Sequence, residues 1–348
     1  MSRRALTLMV AGFLTLALGV VGALLPVPYV VLRPGPTENT IGDVKGKPVI
    51  SIEGHQTYPT EGKLSLVTVA YQGGPGNRID LFSALRGWID PTVAVVPEET
   101  IFPPTSTAEE VEQQNTQEMT NSQDDATAAA LTELKIPYTS VVTVASAQKG
   151  LPADGRFKPG DEIVSVDGIP ATDRESVSAI VRRHKAGETV TFTVNRGERS
   201  MTVAIPTVAA KDGTPIVGIT MRISYKFPFK VKINVGDVGG PSAGMMFSLG
   251  IVDKLTPGPM TGGKSIAGTG TISPEGRVGP IGGIQQKMVG ARKAGATVFL
   301  TPADNCAEAV KALPEGLKLY KVGTLHDAVK AIDVIRTGTG AVPGCAAG

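Results

Sequence analysis

The chain opens with Ala5 to Leu25, 21 consecutive uncharged and mostly apolar positions with no polar face. At about 1.5 Å rise per residue, a helix of that length spans the roughly 30 Å hydrocarbon core of a bilayer. A secretory core segment is shorter, about 7–15 residues, although Val21-Gly22-Ala23 offers a small-residue cleavage site. The stretch therefore reads as an uncleaved transmembrane anchor within residues 1–32. A cleaved signal and a buried soluble helix are the alternatives. Arg3, Arg4 and the amino terminus precede it, against Arg33 and Lys45 after it, which predicts a cytoplasmic N-terminus. The protein is then expected to be single-pass in the cell membrane, with its bulk on the extracytoplasmic side.

Beyond the anchor, Arg33-Pro34-Gly35-Pro36 reads as a break followed by a short linker. Pro48–Glu53 and Lys63–Tyr71 read as strands, and Asp80–Asp90 as a short helix. From Glu98 to Ala126 the chain is polar and acidic. Ser106-Thr107-Ala108-Glu109 fits a capping box, which starts a helix running toward Leu134. Its apolar face stays thin until Ala128–Leu131, so residues 101–137 read as a solvated helical linker. From Ser140 short strands follow (SVVTV, EIVSVDG, TVTFTVNRG and SMTVAIP), with one helix at Arg174–His184. Phe229–Val235 is a further strand. A Gly-rich loop then leads to a helix with Met245, Met246, Leu249 and Val252 as its buried stripe.

At 348 residues the chain exceeds the usual limit of a single core, about 250–300 residues, so two domains are expected. A net charge of +2 without any basic run gives no footing for nucleic-acid binding. Outside the membrane, Cys306 and Cys345 could form a disulfide that ties down the C-terminal tail. They stand alone, and the only histidines are His55, His184 and His326, so no metal site and no cofactor are expected.

Three patterns compete for the chemistry. Gly240-Pro241-Ser242-Ala243-Gly244 fits G-x-S-x-G, the nucleophile elbow of the α/β-hydrolases. Pro241 suits a first-turn helix position, which would put Ser242 where free N–H groups and the helix dipole favour an oxyanion. Asp304 and His326 follow in hydrolase order. However, the preceding loop is too loose for an elbow, and His326 opens an amphipathic helix as a surface residue. Gly258 to Ser265 fits the phosphate-cradling G-x-x-x-x-G-K-[ST], yet a helix precedes it and a strand-like run follows, the reverse of the required order. The third pattern is Lys287. With Ile284 at 0° and about 100° per residue, Lys287 falls near 300°, inside an arc shared with Met288, Ala291 and Ala294. Gln285, Gln286, Arg292 and Lys293 fall opposite. A buried lysine loses its proton more readily and can serve a serine as general base. A lysine that snorkels at the core edge is the structural alternative, as a small residue at a helix start is for Ser242.

Two resemblances organise these readings. "GRFKPGDEIVSVDGIP" resembles the core of a bacterial PDZ domain, and residues 138–207 follow that domain's element order. The resemblance implies a peptide groove between the Val141–Val144 strand and the Arg174–His184 helix. "GGPSAGMMFSLGIVDKL" and "GTGTISPEGRVGPIGGIQQKMVGARKAGATVFLTPADN" together resemble the proteolytic domain of Lon, a Ser–Lys protease, over Val231 to Asn305. Carried over, Ser242 is the nucleophile, Lys287 the general base, Thr269 a support for the lysine and Asn305 structural. One departure stands out: many Lon enzymes carry an acidic residue where this chain has Gly239, with Asp237 two places earlier.

"SIEGHQTYPTEGKLSLVTV" is similar to an early Lon segment, which implies that residues 45–100 begin the protease fold and 210–345 complete it, with the PDZ domain inserted. The expected class is α+β: a Lon-type proteolytic domain plus a β-rich PDZ domain, preceded by one transmembrane helix. The resemblance implies an ATP-independent serine endopeptidase acting on unfolded or membrane-associated proteins, with peptides bound at the PDZ domain and ring-like self-assembly as a family expectation. The alternatives are a catalytically silent peptide-binding scaffold and a P-loop nucleotide-binding protein.

Overall fold

Lys63–Gln72, the alternating run KLSLVTVAYQ, is the strand around which the larger unit is built. The computed structural model describes residues 3–236 and 238–346. The chain up to Ile136 and from Phe229 onward forms one unit, and Pro137–Pro228 forms a second. In the first, a six-stranded sheet has the order Lys318–Val322, Val298–Pro302, Ser265–Gly268, Lys63–Gln72, Tyr29–Asn39, Ala94–Pro97. The first four run parallel and the last two are antiparallel additions. Ile50–Glu53 also pairs with Lys230–Ile233, and the Lys232 amine donates to the Glu53 carboxylate 179 positions away in the chain. Segments from both ends of the chain thus share one set of ladders.

Arg33-Pro34-Gly35-Pro36 is not a break but an irregularity inside Tyr29–Asn39. Register with Lys63–Gln72 shifts between Pro34 and Thr37. Proline cannot donate to a ladder, and a bulge accommodates it. At Gly35 a Cβ would lie 2.3 Å from Thr68 Oγ1, so no larger residue fits. Val30 and Val31 are fully buried; the sheet therefore claims residues expected to belong to the anchor.

Two helices flank Ser265–Gly268. The lysine helix, Ile284–Lys293, packs Ile284, Met288 and Ala291 with Val67, Ala267 and Phe299. The serine helix, Gly244–Leu255, brings Met246 against Gly268, where a Cβ would meet its sulfur at 2.8 Å. Successive strand residues face opposite sides, so Ala267 and Gly268 direct the two helices to opposite faces. The serine helix is buried from Gly244 to Asp253, all round rather than along one stripe.

The reason is the long helix Ala108–Glu133. Expected as a solvated linker, it instead packs its Ala126–Leu131 stretch into the core. Ser248 Oγ lies 3.0 Å from Ala126 O, an approach that small residues on the long helix permit. Its capping box uses Thr107 and Glu110, one position later than the predicted pair.

The P-loop pattern is also resolved by context. Gly258–Lys264 joins the end of a helix to the start of a strand. Lys264 Nζ donates to Ile335 O, and Thr261 Oγ1 to Glu61 O. The loop's polar groups are used within the fold. Cys306 and Cys345 form a disulfide, and Lys321 N donates to Pro343 O beside it. The C-terminal tail thereby covers the edge strand Lys318–Val322.

The second unit is a sheet ordered Arg199–Pro206, Thr189–Arg196, Glu162–Val166, Thr139–Ala147, Ile219–Lys226, with the helix Arg174–Val181. Phe157, Ile163, Val177, Phe192 and Ile205 lie in its core. Ile219–Lys226 was expected in the proteolytic part but pairs with Thr139–Ala147 along its length. This corrects the predicted groove. Thr139–Ala147 has a partner on each side, and the cleft beside Val177, Ser178 and Val181 is lined by Pro215–Ile219 and Met221.

Candidate active site

Ser242, Thr269 and Lys287 come from three separated stretches and meet just past the end of Ser265–Gly268. Thr269 follows that strand directly. Lys287 sits one turn into its helix, whose N-cap Gly283 has φ 67° and packs on Val69. Only glycine adopts that backbone freely and tolerates that contact. Asn305 fixes the approach: its side chain accepts from Ile281 N and donates to Ile281 O, both at 2.9 Å. That pairing is the structural role expected of it.

Ser242 differs from expectation in one respect. The helix begins at Gly244 with Ala243 as N-cap, so Ser242 lies in the turn ahead of the first helical residue. Its hydroxyl is 2.7 Å from Lys287 Nζ. The amine also donates to Thr269 Oγ1 at 3.0 Å, and Thr269 Oγ1 donates to Ser242 O at 3.0 Å. Thr269 has one hydroxyl proton, and spending it on the Ser242 carbonyl leaves lone pairs for the amine. A neutral Lys287 then keeps its own lone pair for the serine hydroxyl.

Burial makes that neutral state accessible. Lys287 is 3% exposed, and desolvation lowers its pKa from 10.5 to about 7. The helical wheel placed Lys287, Met288 and Ala291 correctly on the inner side. It erred on Gln286, which is buried, and on Ala294, which is exposed beyond the helix end.

The other candidates lie elsewhere. His326 is exposed and pairs with Glu133 at 2.8 Å, while Asp304 belongs to a short turn at Ala303–Asn305. Asp237 lies outside the described residues.

What sequence reasoning missed is where the long helix packs. Gly240 N donates to Asn115 O at 3.2 Å, and Ser122 Oγ donates to Pro241 O at 3.0 Å. The helix therefore holds the backbone on the N-terminal side of Ser242. It also crowds Gly239: a Cβ there would stand 3.0 Å from Asn115 Cβ, a tight contact that the glycine avoids. The capping box was the only sequence signal for this helix, and it says nothing of what the helix touches. A groove of about 990 Å³ runs over the site, walled by Glu112, Thr116 and Met119 on one side and Thr68–Tyr71 on another.

Two regions of the chain match known domain families. Residues 198–335 match the Lon protease (S16) C-terminal proteolytic domain family, and residues 116–207 match the PDZ domain family. The chain carries a Lon proteolytic domain and a PDZ domain. Lon protease 1 of Sorangium cellulosum is 42% identical over 94 residues, 26% of this chain and 11% of that protein. Lon protease of Buchnera aphidicola (subsp. Schizaphis graminum) is 32% identical over 149 residues, 40% of this chain and 19% of that protein. The chain thus spans between 11% and 19% of the length of these two relatives. The PDZ domain of the SdrC-like protein of Listeria monocytogenes is 28% identical, covering 23% of this chain and 86% of that one, with a TM-score of 0.22.

The Lon-type domain is the proteolytic part of a serine peptidase family, and the PDZ fold is a peptide-binding one. At the N-terminus, Arg3–Leu24 is one helix, long and apolar enough to cross a membrane. A membrane anchor and an N-terminal signal sequence both pass that test.

Proposed function

We propose that the protein is an ATP-independent serine endopeptidase in which Ser242 is the nucleophile and Lys287 the general base. One observation carries this reading: a buried lysine amine, shifted to about 7, stands 2.7 Å from a serine hydroxyl. In the mechanism, Ser242 Oγ attacks a peptide carbonyl as neutral Lys287 takes its proton. The ammonium then returns that proton to the leaving amine. A water, deprotonated by the same amine, releases the acyl group and regenerates Ser242. Thr269 orients the amine. Pro241 has no N–H, so the oxyanion donors are Ser242, the residues after it, or the facing loop.

An extended substrate would run along Thr68–Tyr71. Lys63–Gln72 is paired with Ser265–Gly268 only through Leu66, which leaves that edge open toward the groove. Unfolded or membrane-associated proteins fit such a site, since they offer extended backbone without prior unfolding. In this reading the unit built from both ends of the chain works as one proteolytic domain. Arg3–Leu24 anchors it with both domains on the extracytoplasmic side, and the PDZ cleft between Arg174–Val181 and Pro215–Met221 receives a peptide of a substrate or partner.

Hydrolysis of β-casein by the full chain in detergent tests the assignment, beside Ser242→Ala and Lys287→Ala. Wild type is expected to cleave and both variants to fall to background. Equal activity in all three overturns the dyad, and an inert wild type favours a peptide-binding scaffold. Added Mg·ATP is expected to change nothing; a clear requirement for it overturns ATP independence.

A further inference from the structure

The helix Leu81–Ile89 presents its apolar side outward. At about 100° per residue from Leu81, Trp88, Leu85, Ile89 and Phe82 fall within an arc of about 120°. These large side chains are exposed, from 41% at Leu85 to 84% at Ile89. The side turned inward carries Ala84 and Gly87, both buried, and a Cβ at Gly87 would meet Val95 at 2.6 Å. Leu81 packs against the cluster of Val27, Val31 and Ile79, and the Trp88 ring makes an edge contact with Tyr29. A helix on a soluble surface has the opposite arrangement. Scattered exposed apolar residues need no explanation, but a contiguous patch of this kind marks an interaction surface.

Its position says what covers it. Pro26–Val27, directly after the N-terminal helix, pairs antiparallel with Ile79–Asp80, directly before this one. A Cβ at Gly22 would lie 3.2 Å from the Phe82 ring. Leu24 and Leu25 are exposed at the same end and extend the patch. Four residues separate Leu24 from the first strand of the central sheet at Tyr29. At no more than about 3.6 Å per residue they reach roughly 14 Å, so a membrane-spanning Arg3–Leu24 would hold this surface against the bilayer. Arg86 borders the arc, and Arg33, Arg86 and Lys293 line the adjoining groove together with Asp90, which suits anionic headgroups.

We propose that Leu81–Ile89 is an interfacial helix, with Phe82, Leu85, Trp88 and Ile89 seated at the headgroup–acyl boundary of the bilayer that the N-terminal helix crosses. The proposal rests on the anchor reading of that helix. Interfacial tryptophan is favoured because the ring is apolar while its N–H still finds polar partners.

Trp88 is the chain's only tryptophan, so its fluorescence reports on this helix alone. The full chain, reconstituted in phosphatidylcholine–phosphatidylglycerol liposomes and recovered by flotation, is compared in lipids brominated at shallow or deep acyl positions. Strong quenching is expected, greater from the shallow bromines, with acrylamide access cut several-fold relative to free tryptophan. Phe82→Ser/Leu85→Ser/Ile89→Ser is expected to lose most of the lipid quenching while keeping its circular dichroism, because the replaced side chains are exposed. A chain that floats but shows no lipid quenching overturns the proposal. If Trp88 is then also shielded from acrylamide, the patch is covered by protein, a second copy included. Unchanged quenching in the triple variant also overturns it. A chain that does not float removes the anchor, and the proposal with it.

Discussion

Lys287 is the residue in which burial and chemistry are one effect. The unfolded chain protonates this amine up to about 10.5, whereas the folded chain releases the proton near 7. Folding therefore gains stability as pH rises from about 7 to about 10.5, and the penalty is complete below about 7. Lys287→Met removes the buried charge. The variant is expected to exceed wild type in stability at pH 6 by a few kcal/mol, less what its lost hydrogen bonds cost, with the gap narrowing toward pH 10. Urea midpoints at the two pH values check this, and a gap independent of pH contradicts the burial argument. For the reaction, kcat/KM is expected to rise through a midpoint near 7; a midpoint near 10.5 means that the amine is not desolvated. Thr269→Val removes both of the side chain's hydrogen bonds at the site. A loss of about tenfold in kcat is expected, the equivalent of one hydrogen bond, with KM little changed and Thr269→Ser restoring the rate. The identities of Ser242, Lys287 and Thr269 were legible in the sequence as a resemblance, and the lysine's inner placement was legible as periodicity. Their convergence was implied by that resemblance alone, because they are 18 to 45 positions apart and no local rule spans that distance.

At the scale of elements, the long helix shows how composition misleads. Its mostly polar surface and thin run of alanines suggested a solvated linker, but a helix that approaches another closely needs small residues rather than large ones. Ala126 is fully buried beside the serine helix. Ala126→Leu is expected to cost about 1–3 kcal/mol through overpacking, and also to lower kcat, since the same helix carries Asn115 and Ser122 to the backbone before Ser242. Thermal unfolding and casein hydrolysis read the two effects; a full loss of stability with unaltered turnover separates the helix from the site. The strand Tyr29–Asn39 was misread for a similar reason. Pro34-Gly35-Pro36 is a breaker in isolation, and only the neighbouring Thr68 shows that the glycine lets a bulge close against the next strand. The PDZ cleft shifted because two strands of the same alternating character compete for one position beside a helix, and periodicity cannot rank them.

For the whole molecule, the central sheet needs both ends of the chain. Ser265–Gly268 lies between Val298–Pro302 and Lys63–Gln72, so a fragment of residues 229–346 alone lacks a neighbour on one side of that strand. Such a fragment is expected to give no cooperative denaturant transition; a sharp one contradicts the shared sheet. The Cys306–Cys345 bond closes a loop of 39 residues' separation. Its reduction is expected to lower stability by about 2–4 kcal/mol, read as a shift in urea midpoint with and without reductant. By itself the sequence determined the apolar helix, the two domain types and which residues are proposed for the site, because length, hydrophobic period and local motifs are properties of neighbouring positions. The tertiary structure alone decided that Lys287 reaches Ser242, that a polar helix braces the serine turn, and that an apolar helix face is left outward beside the N-terminal span. These depend on which surfaces exclude water from one another, and that is settled by packing between segments far apart in the chain.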